Sequence, residues 1–167
     1  MFGALLAALL VAASVHLWFL KDRTVQRIGE TILVYILAGY CGIPMIIVGA
    51  GAFMGVDLRG GVPVEIAAAN ATVQFLGMML LAMGASATAA LYYRGPYLIG
   101  PAITWIIYFI GATAIHLGSE SQALNMGHGN MLMLLATHGL ISVILGVALA
   151  MSGVWRKGPS RLAGALV

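Results

Sequence analysis

The sequence predicts an all-α integral membrane protein: a five-transmembrane-helix bundle, N-terminus outside and C-terminus in the cytoplasm. Three observations predict it. The first is composition. Of 167 residues, 62% are hydrophobic and only 8% are charged, whereas a soluble domain carries about 25% charged residues. So little polar surface cannot cover a water-facing globule, and a bilayer is the natural solvent. The second is segmentation. Apolar stretches over 2–20, 31–54, 66–91, 98–117 and 130–151 each approach the length of about 20 residues that a span needs. Backbone groups in lipid must bond internally, so these stretches are helices. The third is the placement of charge. Lys21, Arg23 and Arg27 follow the first stretch, Arg94 the third, and Arg156, Lys157 and Arg161 the fifth; only Arg59 falls on the other side. The positive-inside rule puts the seven in the cytoplasm.

The first stretch could pass for a secretory signal, but its charges follow the apolar run instead of preceding it, so it reads as a retained helix. Trp18, Tyr92, Tyr93, Tyr97 and Trp155 fall at the same ends as the basic residues, where amphipathic rings settle at headgroup depth. The second stretch contains Pro44, which removes a backbone donor and predicts a kink near its middle. Gly39, Gly42, Gly49, Gly51 and Gly55 surround that point, and small residues let helix backbones approach in lipid. The lone cysteine, Cys41, forms no intrachain disulfide and reads as a small buried side chain.

The third stretch repeats Asn70, Gly77 and Gly84 at seven-residue steps, and the fifth repeats Gly139, Gly146 and Gly153. A heptad step keeps such residues on one seam, so each helix offers a groove to a neighbour, in this chain or in another membrane subunit. Pro101 sits in the first turn of the fourth helix, where a missing N–H costs little. The net charge of +3 reflects orientation, and nothing in the chain points to nucleic-acid binding. Asn70-Ala-Thr72 matches a glycosylation sequon but falls inside a span.

Polar residues within spans need a reason. Glu65 and Asn70 fall in the outer turns of the third helix, with Gln74 one turn below. His116 is expected to end the fourth helix, and Asn125, His128 and Asn130 occupy the outer hairpin. His138 follows eight residues into the fifth helix, ~12 Å deeper at 1.5 Å per residue. The expectation is an outer-leaflet pocket lined by Glu65, Asn70, His116, Asn125, Asn130 and His138, taking a small polar ligand, proton or cation. Glu65 would accept, the histidines exchange protons near neutral pH, and the amides orient the ligand. The bland alternative is that these groups bond one another and cap helix ends, Asn130 being well placed as an N-cap. His16 lies far from them, near the cytoplasmic end, and reads as an interfacial or interhelical hydrogen-bonding residue.

Haem b and copper are both conceivable cofactors and neither is preferred. Haem b needs two imidazoles on facing helices at similar depth, and His138 has no such partner. Copper would suit His128 with Met126 and Met131, since imidazole and thioether bind Cu(I), but methionines in such a chain more often serve packing. No nucleophile–base motif, phosphate-binding glycine loop or HExxH is present in the sequence. An intramembrane enzyme with His116 and Glu65 as acid and base therefore ranks below two other readings: a ligand-binding or transport-related protein, and an accessory subunit of a larger, energy-transducing membrane complex.

Glu65-Ile-Ala-Ala-Ala-Asn70, Gly111-Ala112 with His116, Asn125, and Gly129-Asn130 together carry a resemblance. The chain resembles an uncharacterised family of small bacterial integral membrane proteins, a domain of unknown function. The intervals of nine and fourteen residues from His116 to Asn125 and Asn130 are its specific part. The resemblance implies a multi-pass protein of the bacterial cytoplasmic membrane with a polar site on the outer side and no established activity. The chain departs from the family pattern at His128 (usually Pro), at His138 (often Asp) and at Ser119 (usually Gln), so chemistry that needs that Asp is not carried over.

Overall fold

A computed structural model of the chain describes residues 2–55, 71–123 and 138–156. Among the described residues every regular element is helical. We number the helices α1 (Phe2–Phe19), α2 (Val25–Phe53), α3 (Ala71–Leu91), α4 (a 3-10 turn Gly95–Leu98 running into Ile99–Ala123) and α5 (Leu140–Ser152, followed by a 3-10 turn Val154–Arg156). Three of them, α2, α3 and α4 as far as Ile115, are long and apolar enough to cross a membrane; α1 and α5 are apolar but shorter over the described residues. Large apolar side chains such as Val11, Phe75, Ile107, Ile115 and Val143 point outward, an arrangement that suits lipid and would be an aggregation surface in water.

Helix α2 is the centre of the bundle. It buries 56% of its most apolar window, against 28% for α3 and for α4. Its first part packs on α1 and α5, its second part on α3, and the turn between them touches α4. That middle turn, Ile36–Gly42, is a π-helix, and Tyr40 and Cys41 within it are buried. The Ile43 N–H reaches back five residues to Ala38 O. Pro44 then opens the next α-helical segment. The proline's missing donor thus falls where the hydrogen-bond register already changes, which is how a helix absorbs the interruption expected at this point. The expected buried environment of Cys41 is also met.

Lipid tails are as apolar as leucine, so what joins helices in a bilayer is close packing and hydrogen bonding. The α2–α3 contact shows the packing term plainly. A Cβ placed on Gly49 would lie 2.6 Å from Gly77 O, and one on Gly77 would lie 2.8 Å from Gly49 O. Two turns away, a Cβ on Gly84 would lie 3.0 Å from Gly42 O, and Gly42 in turn abuts Thr88. Two heptad glycines on α2 therefore face two on α3 in antiparallel register. The seam expected at Gly77 and Gly84 is filled by the chain's own second helix. Gly29 makes a similar approach to α5, where its Cβ would meet Ser152 N at 2.5 Å. In contrast, Gly139 and Gly146 meet nothing within 4 Å among the described residues. Gly153 stands at the C-cap of α5 with φ +57°, a left-handed conformation that glycine adopts without strain, so it ends the helix instead of extending the seam.

Two boundaries need correcting. Helix α2 begins at Val25, six residues before the apolar stretch at 31, because Thr24 caps it: the backbone is extended there, and its hydroxyl accepts the Arg27 N–H at 3.3 Å. Helix α4 runs on to Ala123, so His116 lies within a helix and not at its end. The segment Gly118–Ala123 contains no proline, and its Glu, Gln and Ala are tolerant of helix, which lets the helix outrun its apolar stretch.

Candidate functional site

The residues expected to line an outer pocket are largely outside the described structure. Glu65, Asn70, Asn125 and Asn130 lie outside the described residues, as do His128, Met126 and Met131; His116 is described in its backbone only. His138 is described. It is half-buried two residues before α5, its ring edge-on to Phe109 of α4 with centroids 5.5 Å apart. Phe109 also contacts Tyr40, Trp105 and Tyr108, so His138 sits against an aromatic cluster in the core. Beside it a cavity of about 420 Å³ opens between α4 and α5, lined by Ile110, Thr113, Ala114, Gly139, Ser142 and Val143. Its two hydroxyls are already engaged. Thr113 donates to Phe109 O at 2.7 Å and Ser142 to His138 O at 2.9 Å, the back-bonding that helices in lipid impose. The cavity wall is therefore apolar in effect. Among the described residues no three His, Cys, Asp or Glu cluster to hold a metal.

The opposite end of the bundle is polar. The C-terminal end of α1, the first turns of α2 and the α3–α4 connection meet there. Among the described residues all the lysines and arginines belong to this end: Lys21, Arg23, Arg27, Arg94 and Arg156. Within it lies a pocket of about 300 Å³ whose polar lining is His16, Arg27, Glu30, Thr31, Tyr35 and Arg94. Leu20 and Val34 complete the wall. Arg27, Glu30, Thr31, Val34 and Tyr35 recur at three- and four-residue intervals, so one face of α2 presents them all. His16 comes from α1 and Arg94 from the α3–α4 connection.

The bonding within the pocket is sparse. His16 Nδ1 and the Tyr35 hydroxyl share a hydrogen bond of 3.1 Å, with the rings edge to face. This is the interhelical bond expected of His16, and the correction is that it also helps to build a pocket. Glu30 Oε1 accepts the Gly95 N–H at 3.4 Å, a long bond that ties α2 to the α3–α4 connection. Arg27 Nη1 lies 3.9 Å from Asp22 Oδ2, with both side chains largely exposed, and a pair of that kind holds its members weakly. The Arg94 guanidinium has no hydrogen-bond or ion-pair partner among the described residues. Two guanidinium groups and one carboxylate leave the lining one positive charge in excess.

Sequence reasoning missed this site because the second helix was started at 31, which assigned Arg27 and Glu30 to a loop. The available signal was Thr24 as an N-cap, followed by polar residues at helical spacing. Arg94 carried no comparable signal. No known protein family, curated protein or solved structure matches the chain.

Proposed function

We propose that this chain is a multi-pass membrane protein that binds a small polar ligand in the pocket at the basic end of its bundle. One observation carries the reading: six polar side chains from three separate elements surround an open volume of about 300 Å³, and one of its two guanidinium groups has no partner among the described residues. Small-molecule sites are concave and use a few convergent polar groups to orient the ligand; this pocket is more polar than most, which suits a polar ligand. The volume is at the lower end of the range for such sites, about 300–1,000 Å³, so the ligand is small. In this reading the bundle has five spans, the basic end faces the cytoplasm of a bacterial cell, and the family resemblance of the outer residues is retained.

The test is a thermal-shift screen of the detergent-solubilised chain against amino acids, carboxylates, phosphoesters and polyamines, with Thr31→Phe as the pocket-filled control. A single-site ligand at a hundred times its Kd stabilises by about 2.7 kcal/mol. At least one class should stabilise the wild type and leave Thr31→Phe unmoved. If no class does, the reading fails.

An outer site formed by Glu65, Asn70, His116, Asn125, Asn130 and His138 is the second reading. What favours it is His138, half-buried against Phe109 beside the 420 Å³ cavity. The accessory-subunit alternative is favoured by Gly139 and Gly146, over which no described residue packs and where a helix of another subunit could lie. Copurifying chains in mild detergent, lost on Gly146→Leu, would support it; a lone monomer would count against it.

A further inference from the structure

We propose that the group bound by this pocket is a phosphate ester, held by Arg94 and Arg27, with an adjacent hydroxyl or ammonium donating to Glu30; the proposal rests on the ligand reading above. The charges on the lining suit such a ligand: Arg27 and Arg94 are both exposed to the pocket mouth. Among the described residues Arg94 has no hydrogen-bond or ion-pair partner and Arg27 has only the 3.9 Å contact to Asp22, so both guanidinium groups can turn to an anion without breaking a strong pair. Guanidinium forks match phosphate oxygens two at a time. A bare anion would face Glu30 on the same wall, and a ligand that also carries a donor meets that carboxylate with a hydrogen bond instead of a like charge. Glu30 has one weak bond, the 3.4 Å approach of Gly95 N–H, and retains acceptor capacity. The Thr31 hydroxyl and the His16–Tyr35 pair supply further hydrogen-bonding positions on the lining.

The surroundings set the level at which the ligand is met. Trp18 is 72% exposed and Tyr92 83% exposed, and the Arg23 guanidinium lies 5.3 Å from the Trp18 ring centroid while donating to Trp18 O at 2.7 Å. Such rings and cations gather where headgroups meet water. Leu20 and Val34 in the wall give the pocket an apolar flank beside its polar one. A phosphate at this level comes either from a phospholipid headgroup or from a soluble phosphoester. Basic pockets between helices at this depth recognise headgroups by the same chemistry.

The experiment uses the full chain in a non-ionic detergent. Thermal stability is followed with added phosphatidylglycerol, phosphatidylethanolamine, phosphatidylcholine, glycerol 3-phosphate, inorganic sulfate and acetate. Wild type is compared with Arg94→Ala, Arg94→Lys, Glu30→Gln and, as a control for a positive charge outside the pocket lining, Arg23→Ala. The expected result is stabilisation by phosphate esters that bear a hydroxyl or ammonium. Arg94→Ala should weaken it about tenfold or more, the loss typical of one charge-assisted contact, Arg94→Lys should restore part of it, and Arg23→Ala should leave it unchanged. Glu30→Gln should reduce the preference for phosphatidylethanolamine over phosphatidylcholine, whose quaternary ammonium has no N–H to donate. A response to phosphatidylglycerol or phosphatidylethanolamine but not to glycerol 3-phosphate assigns the ligand to a lipid; the reverse assigns it to a soluble ester. Equal responses to sulfate or acetate, or an equal loss in Arg23→Ala, would overturn the proposal. If a non-phosphate ligand stabilises the chain through Arg94 while every phosphate ester is inert, the phosphate assignment falls and the ligand pocket stands. If nothing acts through the pocket, both fall.

Discussion

Two rows of heptad glycines meet opposite fates in this molecule. Gly77 and Gly84 of α3 press against Gly49 and Gly42 of α2, so close that a single added carbon would enter the facing backbone. Gly139 at the N-cap of α5 and Gly146 within it have the same spacing and meet none of the described residues. The spacing says only that a backbone can come near. Whether one does depends on where the chain's other helices go, and here α2 reaches α3 with its second part after reaching α5 with its first. The glycine on α2 that meets α5 is Gly29, which packs near Ser152, and α2 does not reach Gly139 or Gly146.

The contrast can be broken most sharply at Gly49. Gly49→Ala places a methyl 2.5 Å from Leu81 N, with backbone on the far side that cannot swing away, and should cost about 3 kcal/mol of stability. Unfolding in mixed micelles measures it. Gly77→Ala should cost a similar amount, and the double variant should lose less than the two losses added, because the facing positions share one contact. Full additivity would mean that the two glycines do not face each other. Gly84→Ala is the milder case. Its nearest neighbours stand at 2.9 and 3.0 Å, and a loss of about 1–2 kcal/mol is expected. A larger loss than at Gly49 would reverse the order of closeness along the seam.

Thr24→Ala tests the other device that positions α2. Removing the cap should cost about 1 kcal/mol and loosen the first turn, with a matching loss of whatever binding Arg27 supports. Unchanged stability would show that the turn is held by packing alone. The smallest effect is expected at Gly146→Ala, which should stabilise an isolated chain by about 0.5–1 kcal/mol through helix propensity. A destabilised assembly in membranes, with a stabilised monomer in detergent, would identify this row as a contact with another subunit.

The interior of α2 was readable at single positions. Cys41 was expected to be buried and is, and Pro44, where a kink is expected, opens an α-helical segment directly after a π turn. Apolar stretches marked where helices run, but not where they begin and end, since caps and polar helical residues lie outside the apolar signal. Thr24 extended α2 backwards over Arg27 and Glu30, and the Gly118–Ala123 stretch extended α4 past His116. Those shifts matter for function. The first brought Arg27, Glu30, Thr31 and Tyr35 onto one helical face and made the basic-end pocket, while His16 was legible only as a hydrogen-bonding residue. For the outer residues, His138 alone has a described environment, and that environment is aromatic packing.

What the sequence determined by itself is the solvent and the unit of construction. A chain with 62% hydrophobic residues and 8% charged ones has too few polar groups to face water, and backbone in lipid closes its hydrogen bonds locally, so helices follow from composition and length. Tertiary structure alone decided which glycine row is covered, and that His16, Glu30 and Arg94 share one pocket. Both depend on contacts between residues far apart in the chain. Periodicity gives the face on which a side chain lies, but only the arrangement of helices decides what that face meets.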